Sequence, residues 1–103
     1  MTEKYALNDE QLAAALGDLP HWEVKDGKLT SEYKFPTFLN AVNWMMAVSI
    51  EAEQLDHHPE WTNVYSRVNV SLVTHDLGNV ISSYDIELAR KMDALTNEFG
   101  LER

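Results

Sequence analysis

The chain has 103 residues and a mass of 11.8 kDa, which suits one domain spanning residues 1–103 around a single modest core. Its formal net charge of −9 and its eight scattered Lys and Arg residues argue against direct nucleic-acid binding, which needs a basic face. The absence of cysteine excludes disulfides and thiolate chemistry, and the polar start and the lack of a long apolar run predict a cytoplasmic protein without membrane contact.

The first third of the chain predicts a helix followed by a β-hairpin. Asn8 begins a sequence with the spacing of an N-terminal capping box, and Pro20 ends a helix whose apolar stripe comprises Leu12, Leu16 and Leu19. Between residues 21 and 35 the apolar period changes to two, on both sides of the turn dipeptide Asp26-Gly27. This alternation predicts two antiparallel strands.

A long helix is predicted from Phe38 to about Asp56, with Thr37 as a suitable N-cap and with neither Gly nor Pro inside. Its main apolar stripe comprises Phe38, Ala41, Met45, Val48, Ala52 and Leu55. Further apolar residues widen the stripe beyond what a surface helix needs. The helix is therefore either the centre of its own fold or, near Val48 and Ile50, also a contact with another subunit.

The second half of the chain predicts another hairpin and a last helix. Residues 62–75 alternate, with a bend near residues 66–67, and the face expected to be buried comprises Val64, Val68, Val70 and Leu72. A capping-box spacing at Ser82 begins a helix that Gly100 closes. The order α-β-β-α-β-β-α predicts an α+β single domain, in which a four-stranded antiparallel sheet has its helices packed on one face.

Three of the four histidines stand next to acidic residues, which makes them candidates for proton transfer near pH 7. Pro59 stops the long helix, so His57 and His58 lie at its C-terminus. The partial negative charge there, together with the carboxylates of Glu53 and Asp56, suits an imidazole that donates a proton.

Two further residues extend this cluster. His75 is expected to end a strand at a sheet edge, where a loop could complete a pocket. Asp85 lies in the first turn of the last helix, where it could orient a histidine or hold a polar substrate; alternatively, it simply complements the helix dipole.

A metal site is the main rival interpretation, because clusters of histidine and acidic residues bind zinc or iron. Adjacent imidazoles such as His57 and His58 rarely reach one ion, and the sequence has neither His-x-His nor His-Glu-x-x-His. The residues alone therefore favour general acid–base catalysis on a small polar molecule, without a metal or another cofactor.

From about Phe35 to Met92 the chain resembles the pterin-4a-carbinolamine dehydratase family. The resemblance rests on an acid, His-His-Pro, an aromatic residue, a further His and an Asp, which occur in the order and at the spacing of the family. The segments that carry it are Ala52-Glu53-Gln54-Leu55-Asp56-His57-His58-Pro59-Glu60-Trp61, Asn63-Val64-Tyr65, Thr74-His75-Asp76 and Asp85-Ile86-Glu87-Leu88-Ala89.

The resemblance implies dehydration of a 4a-hydroxytetrahydropterin, such as 4a-hydroxytetrahydrobiopterin, to a quinonoid dihydropterin plus water, in tetrahydrobiopterin recycling. It implies a small-molecule pterin substrate, a homodimer or homotetramer, and three catalytic histidines: His57, His58 and His75. It also implies that the pocket is shaped and supported by Glu53, Pro59 and Asp85. The sequence does not assign which histidine is the acid and which is the base.

The second hypothesis is a non-catalytic binding module on the same scaffold, either a dimerisation cofactor of a transcription factor, as relatives in animals are, or a pterin-binding protein. It is motivated by the broad apolar face of the long helix and by a changed loop. That loop, the segment from Leu77 to Tyr84, is one residue longer than in many relatives, and Tyr84 stands where they often carry Arg. This change alters the rim of the pocket and leaves the exact pterin open.

Overall fold

The computed structural model describes residues 3–102 as a four-stranded antiparallel sheet with helices on one face. The α-helices are α1 (Asp9–Gly17), α2 (Phe38–Leu55) and α3 (Ser83–Leu95), and the strands are β1 (Glu23–Lys25), β2 (Lys28–Lys34), β3 (Glu60–Val64) and β4 (Arg67–Leu72). Short 3-10 helices span His75–Leu77 and Thr96–Glu98. The predicted fold class and element order are confirmed. Among the residues described, no helix is long and apolar enough to cross a membrane.

The strand order β1-β2-β4-β3 places the two hairpins side by side, with their second strands in the centre. Asp26 and Gly27 connect β1 to β2 with positive φ angles of 54° and 77°, as a two-residue hairpin turn of type I′ requires. The central pair runs from Leu29 opposite Leu72 to the far end of β2. Its inward side chains are Leu29, Ser31, Tyr33, Val68, Val70 and Leu72, all of which are buried.

The register of β3 differs from the sequence prediction. The turn between β3 and β4 lies at residues 65–66, one residue earlier than expected. A shift of one residue moves a strand's side chains to the opposite face. Trp61 therefore lies opposite Val70 on the core side, whereas Val64 is 56% exposed. The prediction that Val64 shares the buried face was wrong.

Helix α2 covers the sheet with a stripe that is centred on Trp44. Its buried residues are Ala41, Trp44, Val48 and Ala52, which have helical spacing. The Trp44 indole nitrogen donates to the carbonyl oxygen of Met92 in α3 at 3.1 Å, and its ring centroid lies 4.3 Å from that of Tyr33. This side chain thus joins both layers of the fold.

The outer side of α2 corrects two expectations about its apolar stripe. Phe38, a residue of the predicted apolar stripe, is 58% exposed, and Val48, a predicted candidate for a subunit contact, is fully buried in its own core. Ile50, the other candidate, is 58% exposed. The apolar residues that α2 leaves exposed are Phe38, Leu39, Met46 and Ile50.

The ends of the other two helices follow local capping. Asn8 accepts a hydrogen bond from the backbone N–H of Gln11, whose side chain accepts one from the backbone N–H of Asn8. Ser82 and Asp85 form the same box at the start of α3. The last helix is shorter than predicted, because α3 ends at Leu95 and the 3-10 helix follows before Gly100.

Candidate active site

Helix α2 ends in a turn that places the side chain of His57 in the interior of the protein. The backbone N–H groups of Asp56 and His57 donate to the carbonyls of Glu53 and Ala52, at 3.2 and 3.0 Å. These are the two bonds of a Schellman motif. Asp56 occupies the left-handed position with φ 54° and ψ 44°. The chain changes direction at Asp56, and the side chain of the next residue, His57, is buried.

His57 is buried and paired with a buried carboxylate. Its Nε2 lies 2.5 Å from Oδ1 of Asp85, which is fully buried, and only 8% of the His57 side chain is exposed. The hydrogen bond fixes the orientation of the imidazole, and a ring with one nitrogen held in this way exchanges a proton at the other.

The second oxygen of the Asp85 carboxylate is held by two donors. Its Oδ2 accepts from the hydroxyl of Thr74 and from the backbone N–H of Ser82, both at 2.8 Å. The hydroxyls of Thr74 and Ser82 are themselves 2.6 Å apart. Within residues 3–102, every buried polar side-chain atom has a hydrogen-bond partner. The carboxylate is thus anchored from the strand side and from the helix side.

His58 lies outside this buried cluster. Its Nε2 is 3.1 Å from Oε1 of Glu53, and the two side chains are 62% and 82% exposed. The carboxylate of Glu53 thus lies beside His58, in a surface contact that solvent screens. Pro59, which follows, is half-buried.

His75 begins a 3-10 helix rather than ending a strand, because β4 stops at Leu72. The expected strand-end position was therefore wrong. The side chain is 69% exposed; its Nδ1 lies 2.6 Å from Oδ1 of Asn79 and its Nε2 lies 3.5 Å from Oε1 of Glu60. A hydrogen bond from Lys28, partly opposed by desolvation, lowers the pKa of Glu60 below its ordinary value.

One side-chain contact joins the segments of His58 and His75, and one ring contact joins His57 to the first turn of α3. Glu60, two residues after His58, reaches His75. The Tyr84 ring meets the His57 ring edge-on at 5.8 Å between centroids. Among the residues described, no hydrogen bond or ion pair joins one of these histidines to another. The three imidazoles therefore differ in environment: one is buried and two are exposed.

The sequence did not single out the hydroxyls of Thr74 and Ser82 as partners of Asp85. A signal was available in both cases, since Ser82 begins a capping box with Asp85 and Thr74 precedes His75 in the matched segment. Glu60 lies within a matched segment, but no local pattern predicted its contact with His75, which depends on elements that are distant in the sequence.

Metal binding finds no geometric support in the part of the chain that the structure describes. Within residues 3–102, no three His, Asp or Glu side chains are grouped so that they could hold one ion. What the arrangement offers is one buried imidazole oriented by a buried carboxylate, and two exposed imidazoles that can exchange protons with solvent.

Comparison with known proteins points to one family. The family model described as "Pterin 4 alpha carbinolamine dehydratase" matches residues 5–95. A protein of Solibacter usitatus named "Putative pterin-4-alpha-carbinolamine dehydratase" is 44% identical over 95 residues, which are 92% of this chain and 97% of that protein. A Synechococcus protein of the same name is 48% identical over 77 residues, covering 75% and 82% of the two chains.

Two solved structures share the fold. The crystal structure of a "transcriptional coactivator/pterin dehydratase" from Brucella melitensis has a TM-score of 0.84 at 41% identity, covering 88% of this chain and 98% of the other. A pterin dehydratase-like protein described as a RuBisCO assembly factor in the alpha-carboxysome has a TM-score of 0.58 at 21% identity, covering 72% and 84%. The second likeness concerns the fold alone.

Proposed function

Because the chain belongs to the pterin 4 alpha carbinolamine dehydratase family, we propose that it is a hydro-lyase that dehydrates 4a-hydroxytetrahydrobiopterin. The C4a–O bond breaks as the hydroxyl leaves with a proton from an acid, and a base removes the proton from the neighbouring ring nitrogen. The products are a quinonoid dihydropterin and water. No electrons are gained or lost overall, so an acid and a base suffice.

The observation that supports this proposal most directly is the buried pair of His57 and Asp85. A carboxylate that accepts from one ring nitrogen keeps the imidazole in one tautomer and one orientation, as a proton-transfer group requires. Thr74 and Ser82 hold that carboxylate in turn. We assign His57 as the central catalytic residue on this basis.

His58 and His75 complete the proposed catalytic set. Both are exposed and each lies beside a glutamate, which suits an imidazole that passes protons between the site and solvent. Glu53 orients the first of them, and Pro59 shapes the chain between the two halves of the site. The three imidazoles supply the acid and the base between them.

The test is the dehydration of chemically generated 4a-hydroxytetrahydrobiopterin, followed by stopped-flow absorbance. We expect the purified protein to accelerate dihydropterin formation. The rate with His57→Ala should be about 10²–10⁴-fold lower than with the wild type. His21→Ala is the matched control, because His21 is exposed and stands before β1. An inactive wild type, or full activity in both His57→Ala and His75→Ala, would contradict the proposal.

We further propose that the enzyme acts in the cytoplasm as a homodimer or homotetramer. The exposed apolar side of α2 supports self-association, since four large side chains on one helix remain uncovered within the described chain. The absence of cysteine agrees with a reducing compartment.

A non-catalytic binding module on the same scaffold is the second candidate function. It is favoured by the uncovered side of α2 and by the Brucella melitensis protein, whose name joins a transcriptional coactivator with a pterin dehydratase. A specific protein partner that still binds after alanine replaces His57, His58 and His75 together would support it. Dehydratase activity that depends on His57 would instead support the enzyme.

A further inference from the structure

An N-terminal strap, residues 3–7, is fixed across the start of α3 by backbone hydrogen bonds. The N–H of Leu7 donates to the carbonyl of Ile81 at 3.0 Å, and the N–H of Ser83 donates to the carbonyl of Tyr5 at 2.9 Å. The Ser83 hydroxyl also donates to the carbonyl of Glu3 at 2.5 Å. These bonds hold the strap whatever side chain stands at position 4.

Lys4 of this strap lies between the segments that carry His57 and His75. Its Nζ is 4.8 Å from the centroid of the Tyr84 ring, and that ring meets His57 edge-on. The same Nζ donates to Oδ2 of Asp76, the neighbour of His75, at 2.9 Å. One cation from the N-terminus thus contacts a neighbour of His57 and a neighbour of His75.

The Lys4 ammonium still has donors to offer. It carries three N–H groups, and within residues 3–102 the one carboxylate hydrogen-bonded to it is that of Asp76. The side chain is 28% exposed, so the ammonium is accessible from solvent. A lysine is charged at neutral pH, and the hydrogen bond to Asp76 raises the pKa of Lys4 further.

A purely structural role explains Lys4 poorly. The strap is already fixed by its backbone bonds, and the carboxylate of Asp76 is 67% exposed, so solvent screens the ion pair and its contribution to stability is small. Tyr84, beside His57, brings no charge to this rim, so the positive charge there comes from Lys4. The match to the family model begins at residue 5, so family membership assigns no role to this lysine.

We infer that Lys4 is a substrate-binding residue, whose ammonium donates a hydrogen bond to an acceptor on the edge of the pterin ring. The 4-oxo group and the pyrimidine nitrogens of a pterin are such acceptors, and a charged donor binds them more strongly than a neutral one. This inference rests on the proposed function. It adds a specificity-determining residue that lies 53 positions before His57, since 57 − 4 = 53.

The test compares Lys4→Met, which keeps the length but removes the charge, with Lys4→Arg, which keeps the charge. We expect Lys4→Met to raise KM about tenfold while kcat stays within about twofold, because a hydrogen bond to a charged group is lost. Lys4→Arg should restore most of the affinity. Lys25→Met is the matched control, since Lys25 is exposed on β1, at the opposite edge of the sheet from β3.

Two readouts separate substrate binding from a structural effect: recovery of the affinity in Lys4→Arg, and the midpoint of thermal unfolding. Thermal unfolding should give similar midpoints for wild type, Lys4→Met and Lys25→Met. A KM for Lys4→Met within twofold of the wild-type value would overturn the inference.

Binding of 7,8-dihydrobiopterin, measured by fluorescence, distinguishes failure of this inference from failure of the proposed function. A wild-type protein that binds the pterin but does not turn over substrate would overturn the proposed enzymatic function. The Kd of Lys4→Met for the pterin would then decide whether Lys4 binds it. An active wild type with an unchanged Lys4→Met would overturn the inference alone. A wild type that neither binds nor reacts would overturn both.

Discussion

At the scale of single residues, Asp85 combines two roles that the sequence offered as alternatives. One carboxylate oxygen accepts from the N–H of Ser82 and so caps α3, while the other accepts the Nε2 side of His57. A carboxylate can do both because its two oxygens point to different sides. The side chain of Asp85 therefore both caps the N-terminus of α3 and orients His57.

We predict that Asp85→Asn lowers kcat about 10²-fold or more, because the amide can present an N–H to His57 and leave it in the wrong tautomer. It should also cost about 1–3 kcal/mol of unfolding free energy, since buried hydrogen bonds are lost. Stopped-flow rates and urea unfolding measure the two effects. Asp93→Asn is the control, because Asp93 lies in the same helix as Asp85 but accepts hydrogen bonds from Trp22 and Tyr33. Its stability should fall while kcat is retained.

A second prediction at this scale concerns the titration of Asp76. The hydrogen bond from Lys4 holds the pKa of Asp76 below its ordinary value, so the stabilisation is present above the unfolded-state pKa and is lost as pH falls through the folded-state pKa. In Lys4→Met the pKa of Asp76 should return upwards. Carboxyl carbon NMR shifts measure it, with Lys25→Met as control; an identical titration in Lys4→Met would refute the contact.

At the scale of elements, the end of α2 places His57. Asp56 takes a left-handed conformation that favours glycine, and the two Schellman bonds then turn the chain so that His57 is buried while His58 is exposed. Two adjacent imidazoles thus receive opposite environments from a single reversal of the backbone. No difference between the residues themselves produces this asymmetry.

We predict that Asp56→Gly is the most stable of three proteins, that the wild type is intermediate and that Asp56→Ala is the least stable. Left-handed backbone costs an L-residue about 1–2 kcal/mol; glycine avoids this cost but loses about 0.5–1 kcal/mol of chain entropy. Asp tolerates the conformation better than Ala through local hydrogen bonding. Urea unfolding of the three proteins measures the order, and Asp56→Ala more stable than Asp56→Gly would contradict the capping geometry.

At the scale of the whole molecule, α2 has one apolar side that is buried and one that is exposed. Trp44 and Val48 fill the core between sheet and α3, whereas Met46 and Ile50 stay more than half exposed. A chain of this size has no second layer to cover them. The surplus of apolar residues noticed in the sequence is therefore divided between a core and an open surface.

We predict that the protein has a mass well above 11.8 kDa in size-exclusion chromatography with light scattering. Ile50→Glu should lower the mass, because a charge on the uncovered side of α2 opposes burial against another copy. Val24→Glu, at an apolar position of similar exposure on β1, should leave the mass unchanged. A wild-type monomer would contradict the proposed assembly.

The sequence by itself determined the order of the elements, the N-caps of the three α-helices and the residues of the histidine motif. These are local properties: a capping box spans four residues, as at Asn8, and hydrophobic period and turn residues act over similar distances. They also sufficed for the family, since the motif lies within a continuous stretch of chain. The turn at Asp26 and Gly27 was found in the same way.

Only the tertiary structure decided the register of β3, the exposure of each histidine and the contact of Lys4 with Tyr84. A one-residue shift of a turn leaves the local pattern almost unchanged yet reverses which side of a strand is buried, as Val64 shows. Lys4 and Tyr84 are 80 positions apart, since 84 − 4 = 80. Such contacts are fixed by the packing of whole elements, and no local pattern of residue types encodes them.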